Sequence, residues 1–206
     1  MKSTGAATDV DLAFLRGGVD ARCSAAEAYF AAVAHDLAEC AAAMADRFFA
    51  GATLLVFGSG AGATDAQHNS VEYVHPVLPG CRALPALSLT NDVSTVTGIL
   101  GGADPLEVYA HQLRVLGRPG DIALAFLTFA DDGAAIRGLR AAADAQMLTI
   151  ALSTGQPGRD VPARYDFHVD NADPLVAQEL HLATYHMLWE LTHIVLNHRG
   201  IAEVRR

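Results

Sequence analysis

The spacing of apolar positions changes several times along the chain, and each change predicts an element. Between Ala25 and Phe49 the residues Tyr29, Phe30, Val33, Leu37, Met44 and Phe48 recur at helical spacing. The many alanines among them favour helix and allow close packing, and Gly51 ends the run. "TLLVF" (53–57) is short, unbroken and apolar, the pattern of a strand buried on both faces. A loop of small residues follows, then a helix from about Thr64 to Tyr73. "ALPALSL" (83–89), "IALAFLTF" (122–129), "LTIALST" (148–154) and the shorter "YDFHVDN" (165–171) read as further strands. Between them lie a helix after the capping pair Asn91 and Asp92, a helix over 105–117 and a helix over 136–146. A long last helix is predicted from about Pro174 to Asn197, while residues 1–20 are mixed and expected to be partly loose. Strands alternating with helices predict an α/β fold, a parallel sheet of about five strands with helices on both faces. The chain reads as one domain with helical additions at each end.

The last helix departs from a simple amphipathic pattern. Leu180, Thr184, Met187, Leu191, Ile194 and Val195 form one stripe. Gln178, Leu182, Tyr185, His186, Trp189 and His193 fall opposite, where a surface helix would be charged. That face predicts cover from another subunit or from a site, in addition to the chain's own core.

Composition narrows the classes. The 206 residues are 51% hydrophobic and 18% charged, suited to a filled globular core. A net charge of -9 argues against nucleic acid as a partner. Cys23, Cys40 and Cys81 are an odd number without close pairing, as for reduced thiols in a cytoplasmic protein. No basic, then apolar start resembles a signal peptide, and no apolar run approaches the roughly 18–20 residues of a membrane span.

The candidate chemistry is on two helices. His68 and Glu72 are one turn apart and point the same way, a workable half-site for zinc, although such pairs more often make a surface hydrogen bond. Gln178 and His186 could complete it from the last helix, giving two imidazoles, a carboxylate and an amide oxygen that leave zinc a net positive charge. On spacing alone Glu179, nearly in line with His186, competes with Gln178.

The segments "GSGAGATDAQH" with Glu72, "LPALSLTNDVSTVTGI", "LEVYAHQLRVLGRPGDI" and "AQELHLATYHMLWEL" resemble the SIS-domain family, and within it the phosphoheptose isomerases, over most of the chain. The resemblance implies a SIS domain over residues 1–206 and a zinc ion held by His68, Glu72, Gln178 and His186. It implies a homotetramer with sites at subunit interfaces and an aldose–ketose conversion through an enediol, with Glu72 and His186 as the acid–base pair. A sugar-like substrate would meet Ser59, Gly60, Gly62, Asp65, Asn91, Asp92, Gln112, Thr128, Asp131 and Asp132.

Several anion-binding positions of the family are altered. Gly62 stands where the first phosphate loop has serine, and Leu127-Thr128-Phe129-Ala130-Asp131-Asp132 where the second has Ser-Thr-Ser-Gly-Asn-Ser. Pro76 replaces an expected arginine, and Pro174-Leu175-Val176 replaces a Thr-x-Arg stretch. Lost donors and added acids would cost several kcal/mol toward a phosphate dianion, about 1–3 for each unsatisfied group. Asp131 and Asp132 could equally cap the helix beginning near Gly133, and Asp65 could be an N-cap or the partner of a metal ligand. The leading expectation is a zinc-dependent isomerase or epimerase acting on a sugar-like compound without the usual phosphate recognition. The alternatives are another zinc-dependent reaction (hydrolysis, elimination or bond formation) and a non-catalytic assembly or regulatory protein of the same fold.

Overall fold

The computed structural model describes residues 5–102, 104–128, 132–155, 158 and 160–204, with the side chains of 12–198 among them. The chain forms two units, Met1–His35 and Asp36–Arg206.

In the first unit the chain is helical from Gly5, within helix α1 (Gly5–Phe49). Residues 5–20, in the segment expected to be partly loose, are helical here, while residues 1–4 lie outside the described ones. Ala, Leu and Arg are strong helix formers and outweigh the glycines at 17 and 18. Leu12, Phe14, Leu15 and Val19 are exposed, so this stretch has no apolar periodicity that packing would enforce.

The second unit holds the sheet. Strands β1 (Leu54–Gly58), β2 (Ala86–Ser88), β3 (Ile122–Leu127), β4 (Leu148–Thr154) and β5 (Tyr165–Val169) pair in parallel in the order β2-β1-β3-β4-β5. Their β-branched and apolar runs are buried throughout β1 and β3, as expected for a sheet covered on both faces. One face packs Leu55, Phe57, Ala123, Ala125 and Leu127 against α3 (Val93–Leu100), α4 (Glu107–Leu116) and α5 (Gly133–Asp144). Toward the other face Phe126 meets Tyr185 edge-on, with centroids 5.7 Å apart. That face carries α2 (Ala61–Val74) and α6 (Pro174–Val204). The last turns of α1 join it through Phe48 stacked on Tyr73 and Met44 against Thr192. No helix among the described residues is long and apolar enough to cross a membrane.

Two expectations shift. β2 is shorter than expected, beginning after Pro85, which has no N–H to donate. The face of α6 expected to be covered by another subunit or a site is covered in part by the chain itself: Tyr185, Trp189 and His193 are buried, whereas Leu182 on that face and Met187 and Ile194 of the apolar stripe are exposed. The polar tips explain it. Trp189 Nε1 donates to the Glu72 carbonyl, and both ring nitrogens of His193 lie 2.9 Å from backbone carbonyls, those of Trp189 and Arg82. Amphipathic rings can be core residues once these atoms are paired.

Candidate metal centre and active site

Helix α2 starts where the chain leaves β1 sharply. Gly60 is its N-cap at φ 58°, a left-handed conformation that a glycine adopts without strain. Two residues on, a Cβ at Gly62 would lie 2.9 Å from Phe126 Cβ and 3.4 Å from Thr128 Cγ2. The serine that the family carries here would therefore press on β3, and glycine lets α2 lie close to the sheet.

This placement brings α2 against α6. The ligating atoms of His68, Glu72 and His186 all lie within 4.8 Å of one another. His68 Nε2 is 3.1 Å from Glu72 Oε1, and the His68 and His186 rings are edge-to-face with centroids 5.4 Å apart. Zinc bonds of about 2.0–2.2 Å would require these donors to close to about 3.3 Å, a movement within side-chain reach. Asp65 lies inside α2, so it is not the N-cap. Its Oδ2 accepts from Gln178 Nε2 at 3.2 Å, a bond that uses the Gln178 amide nitrogen and not its Oε1, so that oxygen could serve as a fourth donor. Glu179, the competing residue, is exposed. Two neutral imidazoles, a carboxylate and an amide oxygen are a donor set that suits zinc.

Burial holds His186 below the ordinary histidine range, although Glu72 opposes the shift. Burial also raises Asp65, with the Gln178 hydrogen bond and the nearby His68 working against it. A neutral imidazole beside a carboxylate is a pair able to accept and return a proton between neighbouring atoms.

The structure divides the remaining expected site residues into groups. Ser59, Gly60, Gly62, Thr128 and Asp132 gather where β1 and β3 end. Ser59 Oγ donates to Asp132 Oδ1 at 3.4 Å, and the same carboxylate oxygen caps α5 by accepting from Ala135 N at 3.2 Å. Asn91, Asp92 and Gln112 instead line a separate cavity of about 410 Å³ at the β2 edge. Asp92 caps α3, accepting from the amides of Ser94 and Thr95, and Gln112 Nε2 donates to the carbonyls of Leu89 and Val108. Asp131 and Phe129 lie outside the described residues.

Sequence reasoning missed three contributors. Tyr185 places its hydroxyl 2.7 Å from His68 Nδ1, Trp189 fixes the Glu72 backbone, and Tyr109 donates to the Gly58 carbonyl at 2.6 Å. Tyr185 and Trp189 are each 117 positions from their partners, and no local pattern links them. A second cavity of about 500 Å³ lies beside Gln178, between Ala61, Thr128, Thr154, Asp170 and the start of α6.

Residues 21–154 match the SIS domain. Among curated proteins, the chain is 36% identical over 192 residues to a phosphoheptose isomerase of Desulfovibrio desulfuricans, covering 92% of this chain and 89% of the relative. It is 34% identical over 169 residues to that of Nitratidesulfovibrio vulgaris, covering 81% of this chain and 80% of the relative. Among solved structures, a phosphoheptose isomerase from Francisella tularensis superposes with a TM-score of 0.80 at 25% identity, covering 89% of this chain and 98% of that one. One from Neisseria gonorrhoeae gives 0.78 at 22% identity, covering 88% and 97%, a likeness of fold. The chain therefore belongs to the SIS-domain family and, within it, to the phosphoheptose isomerases.

Proposed function

We propose that the protein is a zinc-dependent aldose–ketose isomerase or epimerase that works through an enediol on a sugar-like hydroxy-carbonyl compound. The observation that carries this reading is the convergence of the ligating atoms of His68, Glu72 and His186 within 4.8 Å on two neighbouring helices, beside the Gln178–Asp65 hydrogen bond that links the same two helices. His68, Glu72, Gln178 and His186 would hold the ion. When bound, zinc supplies Lewis acidity that stabilises negative charge on adjacent substrate oxygens.

The chain's own groups do the rest. Of Glu72 and His186, one takes the proton from the carbon beside the carbonyl and returns it to the former carbonyl carbon of the enediol, while the other carries the hydroxyl proton across to the former carbonyl oxygen. Tyr185 and Trp189 hold His68 and the Glu72 backbone in place. Residues 1–206 act as one SIS domain in a cytoplasmic homotetramer, with exposed Met187 and Ile194 on α6 as part of the subunit contact.

The usual phosphate recognition is absent from this reading. Asp132 puts a carboxylate on the Ala135 amide at the start of α5, a place favourable to an anion, and Gly62 offers no hydroxyl. The test is metal analysis of the purified protein together with product analysis on candidate aldoses and ketoses. About one zinc per chain and aldose–ketose interconversion, both lost in His68→Ala, are expected. A metal-free protein whose behaviour His68→Ala leaves unchanged would point to a non-catalytic assembly role. Zinc-dependent turnover to a hydrolysis or elimination product would point to another reaction at the same site.

A further inference from the structure

Asp65 on α2 and Gln178 on α6 meet across 113 positions of sequence. Helical register puts Asp65 on the ligand face of α2: His68 is three positions on and Glu72 seven, so all three side chains leave the helix on one side. Asp65 is nevertheless outside the close cluster, whose ligating atoms belong to His68, Glu72 and His186. Its carboxyl group is buried, with the residue 4% exposed, and Oδ2 accepts from Gln178 Nε2 at 3.2 Å.

The chemistry of the two groups fixes the direction of this bond. A carboxylate has only lone pairs to offer, whereas a primary amide has two protons on its nitrogen and none on its oxygen. Facing Asp65, Gln178 must therefore present Nε2, and the planar amide turns Oε1 away from Asp65. The two ends of an amide have nearly the same shape, so packing alone would not hold this orientation; a neighbour that can only accept does.

The same bond accounts for a choice that spacing leaves open. Glu179 is nearly in line with His186, seven positions away, yet it is exposed. A carboxylate at position 178 would meet the Asp65 carboxylate with no proton between them, and like charges that close repel. Asp65 thus admits an amide at this position and disfavours an acid. An uncharged fourth ligand leaves Glu72 as the only anionic one, which preserves Lewis acidity.

We propose that Asp65 is a positioning residue of the metal centre: it holds the Gln178 amide with Nε2 spent on Asp65 and Oε1 directed to the side of His68, Glu72 and His186, and so makes an amide the fourth ligand. The inference rests on the zinc reading of that cluster and adds the residue that orients its least common ligand.

Zinc affinity of the metal-stripped full chain, measured by competition against a chelator, tests this independently of turnover. Wild type, Asp65→Asn, Gln178→Glu and the double variant are compared. Asp65→Asn keeps the shape but offers both a donor and an acceptor, so the Gln178 amide can turn over, and affinity should fall about 10–100-fold. In the Gln178→Glu background the sign should reverse. There the introduced amide donates to the introduced carboxylate, whose other oxygen stays free for the ion, so adding Asp65→Asn should strengthen zinc binding. The inference is overturned if Asp65→Asn leaves zinc affinity at the wild-type value. It is equally overturned if Asp65→Asn costs the same factor in both backgrounds, as mere loss of a nearby charge or of packing would. Should Gln178→Glu fail to fold, Asp65→Asn against wild type decides. A wild-type chain that binds no zinc would defeat the zinc reading and this inference together. Tight wild-type binding that Asp65→Asn does not change would defeat this inference alone.

Discussion

The Tyr185 hydroxyl lies 2.7 Å from Nδ1 of His68, joining α6 to α2 across 117 positions of sequence. A phenol can accept from an N–H or donate to a bare nitrogen. It can therefore support His68 while Nε2 is protonated against Glu72, and equally while Nε2 is bare toward a metal ion. The Tyr185 ring is also wedged against Phe126 and His186, with centroids 5.7 and 4.8 Å away, so the hydroxyl has little freedom to leave.

Removing that hydroxyl gives the first prediction. Tyr185→Phe keeps the ring and its packing and deprives His68 of its partner. Zinc affinity, measured by competition against a chelator, should fall about 10–100-fold, while the metal-free protein loses about 1–2 kcal/mol of stability at most. Unchanged affinity would mean that Tyr185 is only a packing residue.

Gly62 is predicted to be structural. Gly62→Ser restores the hydroxyl of the family's phosphate loop but forces a Cβ to 2.9 Å from that of Phe126. Denaturant unfolding should show a loss of about 1–3 kcal/mol from overpacking. A serine variant as stable as wild type would show that α2 can move off β3 freely.

His181 gives a pH dependence. Burial lowers its pKa from 6.5 to about 4, so the unfolded chain binds a proton in that interval which the folded chain does not. Stability from this group is complete above pH 6.5 and declines as pH falls toward 4, by about 3 kcal/mol at the acid limit. His181→Gln keeps an N–H for the Ser153 carbonyl and does not titrate. Comparing urea midpoints across this range, the variant should lose less stability than wild type. Parallel pH profiles would contradict the assignment.

The parts of the fold legible in the sequence were those written in local spacing. "LTIALST" becomes β4 over its full length because an unbroken apolar run has one comfortable place in a sheet covered on both faces. His68 and Glu72 were legible because one helical turn aligns them. The pairing of Asp65 with Gln178 was not, since it depends on how α2 and α6 pack and links residues 113 positions apart. Trp189 and His193 lie on the face whose large amphipathic residues predict cover by another subunit or a site, in addition to the chain's own core. In the folded chain the Glu72 carbonyl accepts from Trp189, a ring nitrogen of His193 lies 2.9 Å from the Arg82 carbonyl, and the rings join the core.

The proton-transfer step is the part of the account most open to direct measurement. Zinc-loaded protein is incubated with a sugar that it converts, in deuterium oxide, and the recovered sugar is examined for deuterium on the carbon beside the carbonyl. An enediol route handled by Glu72 and His186 predicts deuterium at that carbon, with incorporation lost in Glu72→Gln. Converted product that carries no deuterium there, in a reaction that Glu72→Gln leaves intact, would contradict the account.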